Sequence, residues 1–247
     1  VFPKDKKNED IWWELAKENN CEIIRFSLLE DNTDFDSKNN CREIICEIVN
    51  YFPLKIRLTL GKQLIGETTL RGFGRHFART ATAAAAACIG LKIPNESIIN
   101  GLKSFTPLKG RGYFYYLKSG GMIVDDSYNA NPDSMEAAIN AMIEITGRRA
   151  MILGDMGELG KDSFSMHVEV LRLAARNLDD IFLFGENFSK ANSSLKCGKV
   201  YSSLRNLEND IRKWMQKFNS QPNSFVLWVK GSRVSNLDLI VKNLVTN

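Results

Sequence analysis

From residue 113 onward, short apolar segments alternate with amphipathic ones, and this alternation restricts the fold more than any other feature. The spacing predicts strands at Tyr113–Leu117, Met122–Val124, Ala150–Leu153, Ile181–Phe184, Val200–Tyr201 and Phe225–Val229, and helices at Pro132–Ile145, Phe164–Arg176, Leu204–Phe218 and Leu237–Val245. Buried strands that alternate with helices form mostly parallel sheets with helices on both faces. The sequence therefore predicts an α/β, doubly wound, mostly parallel sheet for this region.

The first hundred residues show a different pattern, in which strand-like runs follow one another. Predicted strands are Cys21–Leu28, Arg42–Val49, Pro53–Leu60 and Gln63–Thr69, and predicted helices cover residues 8–19, His76–Cys88 and a segment from Asn95, as N-cap, to about Ser104. A polar loop is expected at Asp31–Asn40. Turn formers at Thr106–Gly112 mark a boundary, which gives two domains, residues 1–105 and 106–247.

Composition places the chain among ordinary globular proteins. It has 247 residues, 44% of them hydrophobic, and a net charge of +4 from dispersed Lys and Arg, which does not indicate a nucleic-acid surface. No apolar run approaches the roughly 20 residues of a membrane span, and no signal peptide is visible. Cys41 and Cys46 lack a second pair or a suitable His, so zinc is not expected. We expect a cytoplasmic protein with reduced thiols and, because Val1 replaces an initiator Met, a fragment or processed product.

Three polar clusters follow predicted strands, where ligands of α/β sheets collect. They are residues 125–132 (Asp-Asp-Ser-Tyr-Asn-Ala-Asn-Pro), 154–160 (Gly-Asp-Met-Gly-Glu-Leu-Gly) and 230–233 (Lys-Gly-Ser-Arg). The first cluster has more polar residues than a turn and an N-cap at Asn131 require, which indicates a function. Asp126 is its candidate for accepting hydrogen bonds from ribose hydroxyls. The second is equally explained as a loop with solvated acids. The third is a natural carboxylate or phosphate site.

Arg111 and two histidines complete the list of candidates. Arg111 lies at the domain boundary, where a cation can reach a nucleotide. His76 follows a Gly-rich turn, so capping and ligand binding are both open. His167 lies among apolar residues of a predicted helix, which favours a packed histidine over a catalytic one. Gly61-Lys62-Gln63 lacks the glycine and hydroxyl residue of a P-loop.

These clusters, in this order and spacing, resemble the Mur ligases. Gly74-Arg75-His76 before an Ala-rich helix, Gly110-Arg111 and His167 behind the second cluster also fit. The resemblance implies that residues 1–105 are the later half of a central ATPase domain and that 106–247 are a complete Rossmann-like C-terminal domain. It also implies that the P-loop and the UDP-sugar domain lie outside this chain. Phe77 and Thr80 depart from the family, which usually has Asn at both positions.

The resemblance further implies ATP-dependent amide formation, in which UDP-N-acetylmuramoyl-tripeptide is activated as an acyl phosphate and attacked by D-alanyl-D-alanine. ATP and Mg²⁺ are the implied cofactors. The implied roles are catalysis by Asp126, Asn129 and Lys230, ATP binding by His76, Thr80, Arg111, Asp126 and Asn131, substrate binding by Tyr128, Asn129, Ser232 and Arg233, and metal binding by His76. The missing N-terminal part of the same enzyme is the implied partner, and the isolated chain is predicted to be inactive.

Two other interpretations stay open. The chain is alternatively a non-catalytic nucleotide- or peptide-binding fragment of a degenerate gene, or part of a related Mur or folylpolyglutamate-type ligase. Tyr128-Asn129-Ala130 favours D-alanyl-D-alanine addition over these relatives.

Overall fold

The computed structural model describes residues 1–4, 8–31, 42–118, 120–218 and 224–246. The chain forms two compact units, Val1–Thr106 and Pro107–Asn247. Cys41 and residues 32–40 of the predicted loop lie outside the described residues. The assignment of the first unit to a Mur ligase central domain stays a prediction.

The first unit is a five-stranded mixed sheet with helices. Its elements are β1 (Phe2–Pro3), α1 (Glu9–Glu18), β2 (Ile24–Leu28), β3 (Arg42–Tyr51), β4 (Leu54–Leu60), β5 (Gln63–Thr69), α2 (Gly74–Gly90) and α3 (Asn95–Ser104). The strand order is β1-β2-β3-β4-β5. β1, β2 and β3 are parallel, whereas β3, β4 and β5 form an antiparallel meander. The turn between β4 and β5 contains Gly61, whose φ of 57° suits glycine.

The core of this unit lies between the sheet and helix α2. Apolar side chains of β2, β3 and β4 pack against the alanine-rich face of α2, represented by Ala78, Ala81 and Ala85. Small alanines allow the helix to approach the sheet closely, which explains why this segment is rich in alanine. Among the described residues, no helix is both long and apolar enough to cross a bilayer.

Cys46 lies in this core, and its burial controls the reactivity of its thiol. It is fully buried, and burial is the main cause that raises its thiol pKa from 9.0 to about 11. We therefore expect iodoacetamide at pH 8 to modify exposed Cys21 and to spare Cys46, because the thiolate is the reactive form. Mass spectrometry of the labelled peptides measures this. In urea both should react, and equal native labelling of the two would contradict the prediction.

The same pKa shift makes the free energy of unfolding depend on pH. A thiol whose pKa is raised by folding stabilises the native state fully below the unfolded pKa. This contribution is then lost as the pH rises from 9.0 to about 11. The Cys46→Ala variant should therefore lose less stability than the parent over this alkaline range.

The second unit is a six-stranded sheet between two layers of helices. Its elements are β6 (Tyr113–Tyr116), β7 (Met122–Asp126), α4 (Pro132–Ile143), β8 (Arg148–Gly154), α5 (Ser163–Asn177), β9 (Asp180–Phe184), α6 (Glu186–Leu195), β10 (Lys199–Tyr201), α7 (Leu204–Gln216), β11 (Phe225–Lys230) and α8 (Leu237–Thr246). The strand order is β10-β9-β8-β11-β7-β6, and every pairing except β6 with β7 is parallel. The predicted α/β, doubly wound, mostly parallel sheet is confirmed.

The core of the second unit covers both faces of its sheet. β11 is buried along its whole length, and its alternate residues face opposite sides. Phe225, Leu227 and Val229 belong to a cluster with the apolar residues of α7 and α8. Contacts of α5 with α4 and with α6 form the other helical layer. The central position of β11 places its last residue, Lys230, at the middle of the carboxyl edge.

One local prediction was wrong, and one helix was not predicted. Asn95 is the first residue of α3 rather than its N-cap, because Pro94 occupies the cap position. Helix α6 escaped prediction because it is polar and buries only Phe188 and Ala191. A carboxylate from a different segment stabilises its N-terminus, as described below, and such a long-range contact has no local sequence signal.

Candidate functional site

The carboxyl edge of the second unit's sheet centres on an ion pair between β7 and β11. Asp126 and Lys230 are direct register partners, so their side chains lie on the same face of the sheet. Lys230 Nζ donates to Asp126 Oδ2 at 2.7 Å and to the Asn129 carbonyl at 3.1 Å. The Lys230 side chain is only 4% exposed and that of Asp126 21%. The indole N–H of Trp228 also donates to Asp126, at 3.4 Å.

Trp228 is a member of the site that sequence reasoning missed. It precedes Lys230 by two residues, and period-two alternation places both on one face of β11. This alternation was readable from the sequence. The hydrogen bond between Trp228 and Asp126 was not, because it depends on the register between β11 and β7.

The first carboxylate of the pair at 125–126 has a structural role. Asp125 accepts hydrogen bonds from the Gly110 N–H at 2.8 Å and from the Ser127 hydroxyl at 2.6 Å. The Asp125 carbonyl accepts from the Gly112 N–H, and the Tyr128 N–H donates to the Gly110 carbonyl. Gly110 and Gly112 both have positive φ, at 81° and 76°. Three hydrogen bonds therefore fasten the Gly110–Gly112 turn, which carries Arg111, to the end of β7 and the residues that follow it, while the Ser127 hydroxyl holds the Asp125 carboxylate in place.

The two asparagines that follow have local partners. Asn131 is the N-cap of α4: its side chain accepts from the Ser134 N–H at 2.8 Å, and the Ser134 hydroxyl accepts from the Asn131 N–H. This capping box with Pro132 at the first helical position confirms the capping interpretation. Asn129 Oδ1 accepts from the Ala130 N–H. The predicted ligand roles of Asn129 and Asn131 stay predictions.

Arg111 and Arg233 converge on the ring of Tyr128. The guanidinium carbon of Arg111 lies 4.3 Å from the ring centroid and that of Arg233 lies 5.8 Å from it. Tyr128 is 44% exposed. Ser232, next to Arg233, is buried, and its N–H donates to the Asp155 carbonyl at 3.0 Å. The structure thus brings together Arg111, Tyr128, Ser232 and Arg233 with the Asp126–Lys230 pair at one edge.

The 154–160 loop, for which the sequence left a functional role and a loop with solvated acids equally open, has one acid bonded to the protein and one that is exposed. Asp155 accepts from the backbone N–H groups of Asn187 and Phe188, both at 2.9 Å, and so caps helix α6 from a distance. Glu158, in contrast, is exposed.

His167 is a packed residue, as predicted. It is fully buried, and its Nε2 accepts from the Met156 N–H at 3.0 Å while its Nδ1 donates to the Ser163 carbonyl at 2.6 Å. Its ring packs edge-on against Phe188, with 4.7 Å between centroids. The histidine therefore holds the 154–160 loop against α5 and α6.

The ends of β8 and β11 approach each other closely at two glycines. A Cβ atom on Gly231 would lie 2.9 Å from Gly154 Cα, and one on Gly154 would lie 3.1 Å from Gly231 Cα. Because both neighbours are backbone atoms, neither can move aside as a side chain would. The close approach sets the spacing between the 154–160 loop and the Lys230–Arg233 segment.

We expect Gly231→Ala to destabilise the second unit by about 1–3 kcal/mol, the cost of overpacking a tight contact. Urea unfolding followed by circular dichroism measures the change. Gly157→Ala is the matched control, since the nearest atom to its new Cβ would be 3.7 Å away. Equal effects of the two substitutions would contradict the steric argument.

His76 and Thr80 belong to helix α2 of the first unit. Both are exposed, and the Thr80 hydroxyl donates to the His76 carbonyl at 3.0 Å. Phe77, which replaces a family Asn, packs over Gly72 and lies 6.0 Å from the Phe105 ring. Among the described residues, no group of three or more His, Cys, Asp or Glu gathers as a metal site. ATP binding by His76 and Thr80 and metal binding by His76 stay predictions.

Comparisons with known proteins identify the family of this chain. Residues 110–233 match the family model described as Mur ligase, glutamate ligase domain. The UDP-N-acetylmuramoyl-tripeptide–D-alanyl-D-alanine ligase of Buchnera aphidicola (subspecies Baizongia pistaciae) is 31% identical over 99% of this chain and 50% of its own. The Escherichia coli ligase of the same name is 30% identical over 70% of this chain and 38% of its own.

Solved structures show the same relationship. A crystal structure of MurF from Acinetobacter baumannii superposes with a TM-score of 0.79 and 27% identity, covering all of this chain and 51% of that one. A MurF ligase from Thermotoga maritima in complex with ADP shares the fold, with a TM-score of 0.69 and 20% identity over 91% of this chain and 53% of its own. The chain spans about half the length of most of these relatives. Because the family model covers half of the chain and includes all three clusters, the chain belongs to the Mur ligase family.

Proposed function

We propose that the protein carrying this chain is an ATP-dependent amide ligase that joins D-alanyl-D-alanine to UDP-N-acetylmuramoyl-tripeptide during peptidoglycan precursor synthesis. The names of the relatives support this substrate pair. The observation that carries the proposal is the buried Asp126–Lys230 ion pair at the carboxyl edge, within the segment that matches the family. We assign residues 1–105 to the later half of the central ATPase domain, and the P-loop and UDP-sugar site to sequence outside residues 1–247.

The proposed reaction proceeds in two steps. A tripeptide carboxylate oxygen attacks the γ-phosphorus of ATP, ADP leaves, and an acyl phosphate forms. The amine of D-alanyl-D-alanine then attacks the acyl carbon, loses a proton, and expels inorganic phosphate as the amide forms. Both steps develop negative charge on oxygen atoms, which preorganised cations stabilise.

The residues at the carboxyl edge have distinct proposed roles. Lys230 is neutralised by Asp126, and the pair fixes the Asn129 carbonyl and hence the 125–131 segment. We assign ribose or phosphate contacts to Arg111 and Asp126, with Asn131 beside them. Tyr128, Asn129, Ser232 and Arg233 are assigned to the incoming dipeptide. His76 and Thr80 are assigned to ATP.

Mg²⁺ belongs to the proposal as a cofactor that offsets phosphate charge. The described residues contain no three-ligand group for it, and His76 offers nitrogen where Mg²⁺ prefers oxygen. These residues do not form a magnesium site by themselves, so no step here depends on one.

The test is an assay of the complete gene product that contains this chain. ADP formation should require both UDP-N-acetylmuramoyl-tripeptide and D-alanyl-D-alanine, and mass spectrometry should detect the joined product. Lys230→Ala should lower kcat/KM about 100-fold, because the 125–131 segment loses the side chain that fixes it, and a misplacement of about 1 Å at groups that position substrate has an effect of this size. Tyr116→Leu, a change at an exposed tyrosine on β6, is the control that should leave the rate unchanged.

Other outcomes would separate the alternatives. Turnover with glutamate as the amine substrate, or with a folate as the carboxylate substrate, but not with the dipeptide, would indicate a different ligase of the family. Absence of turnover with every acceptor would favour a non-catalytic binding protein. The chain 1–247 alone is expected to form no ADP, and Mg²⁺-dependent phosphate release by it would contradict that expectation.

A further inference from the structure

Arg111 and Arg233, two arginines at the carboxyl edge, have no carboxylate partner among the described residues. Among the described residues, neither Arg111 nor Arg233 forms an ion pair or a side-chain hydrogen bond, whereas Lys230 is paired with Asp126. Both guanidinium groups lie within about 6 Å of one aromatic ring, the range of a cation–π interaction. Two guanidinium groups close to each other repel, and an anion bound between them replaces this repulsion with charge-assisted hydrogen bonds.

The backbones that carry these arginines are fixed. Arg111 lies between Gly110 and Gly112 in the turn that Asp125 and the Tyr128 N–H fasten to β7. Arg233 begins a 3-10 turn after Ser232, whose N–H is held by the Asp155 carbonyl. The side chains, in contrast, are long and exposed, and the contacts recorded for them in the described part of the chain are those with the Tyr128 ring.

We propose that Tyr128 is a positioning residue that holds Arg111 and Arg233 as a two-arginine site for one carboxylate or phosphate group. The tyrosine ring is 44% exposed, so it presents both guanidinium groups to solvent rather than burying them. A planar guanidinium binds a carboxylate or phosphate through two parallel hydrogen bonds. This inference rests on the proposed function, which supplies both kinds of anion: the dipeptide carboxylate and the nucleotide phosphates. It replaces the separate assignment of Arg111 to the nucleotide and of Arg233 to the dipeptide by one anion that both arginines share.

The ring face, not the hydroxyl group, carries the proposed role. In the described part of the chain, no hydrogen bond of the Tyr128 hydroxyl accompanies the two ring contacts. Tyr128→Phe should therefore keep the site, and Tyr128→Leu should lose it. A series of increasingly fluorinated phenylalanines at position 128 should weaken binding in steps, because fluorine withdraws the electron density that attracts cations.

The experiment measures binding of two probes, D-alanyl-D-alanine and inorganic pyrophosphate, to chain 1–247 by NMR titration. Wild type and Tyr128→Phe should bind at least one probe with Kd values within twofold of each other. Tyr128→Leu should weaken that binding about 5- to 20-fold, as expected for two cation–π contacts. Arg111→Ala combined with Arg233→Ala should abolish it. Tyr116→Leu, at a tyrosine 63% exposed on β6, is the matched control.

The outcomes separate the two proposals. If Tyr128→Leu weakens only the binding of D-alanyl-D-alanine, the site binds the peptide carboxylate. If it weakens only the binding of pyrophosphate, the site binds the nucleotide phosphates. Unchanged binding by Tyr128→Leu, or no binding of either probe to wild type, overturns the inference. Because binding needs no turnover, an inactive gene product would refute the proposed ligase function while this test still decides the role of Tyr128.

Discussion

Replacing Trp214 with alanine is expected to lower the free energy of unfolding of the second unit by about 3–5 kcal/mol, the cost of deleting a large core aromatic. Trp214 is 6% exposed and lies on α7. Its ring centroid is 5.1 Å from that of Phe225, 5.2 Å from Phe218 and 5.9 Å from Phe182. Alanine would leave a cavity between these rings, which the fixed strands β9 and β11 cannot close.

The Trp214→Phe variant is the control, because it removes the hydrogen bond of the indole N–H while it keeps an aromatic ring in the core. The indole N–H donates to Asp180 Oδ2 at 2.8 Å, and Arg148 Nε also donates to that carboxylate, at 2.5 Å. Trp214→Phe keeps most of the packing and leaves Asp180 paired, so we expect a loss of about 1–2 kcal/mol. Urea unfolding monitored by far-ultraviolet circular dichroism measures both variants. Losses of similar size would show that the hydrogen bond, rather than the packing, dominates.

The second large effect is expected at the ion pair of the carboxyl edge. Asp126→Ala should cost about 3–5 kcal/mol, because it leaves the Lys230 ammonium buried without a counter-charge. Lys230→Met should cost less, about 1–3 kcal/mol, since Asp126 is partly exposed and retains the Trp228 N–H. The combination of both changes should cost less than the sum of the two, because it removes the unpaired charge together with its partner.

A double-mutant cycle of four proteins measures this coupling by urea unfolding. Strictly additive costs would mean that the two groups do not interact in solution. The same four variants, placed in the complete gene product, separate stability from function. The double variant should be more stable than the sum of the two single costs implies, yet as inactive as the single variants, because packing can replace an ion pair in the fold but cannot replace its function at the site.

Much of the fold followed from local patterns. The predicted strand Ala150–Leu153 became β8 and the predicted helix Phe164–Arg176 became α5, each with bounds that differ by a few residues. Asn131 and Pro132 signalled the start of α4 because a capping residue and the first helical residue act within one turn. Helix α6 gave no such signal, since its N-terminus depends on Asp155, which is over thirty residues away.

The candidate site divides in the same way. Residue types and their positions after strands identified Asp126, Lys230 and Arg233 as candidates, and Arg111 was identified by its position at the domain boundary. The sequence did not show that Lys230 is neutralised by Asp126, so it grouped Lys230 with Ser232 and Arg233 as an anion site. The structure leaves Arg111 and Arg233 as the cations near Tyr128 that have no carboxylate partner among the described residues.

The sequence by itself determined the alternation of strands and helices, the three clusters that follow strands, and the Mur ligase resemblance. These depend on the periodicity of apolar residues and on the order of residues along the chain, which are local properties. Only the tertiary structure decided the strand order β8-β11-β7 and the register that sets Lys230 opposite Asp126. Pairing between strands about a hundred residues apart is fixed by the packing of the whole sheet and its helices, and therefore the partners of each charge at the site were not readable from the chain alone.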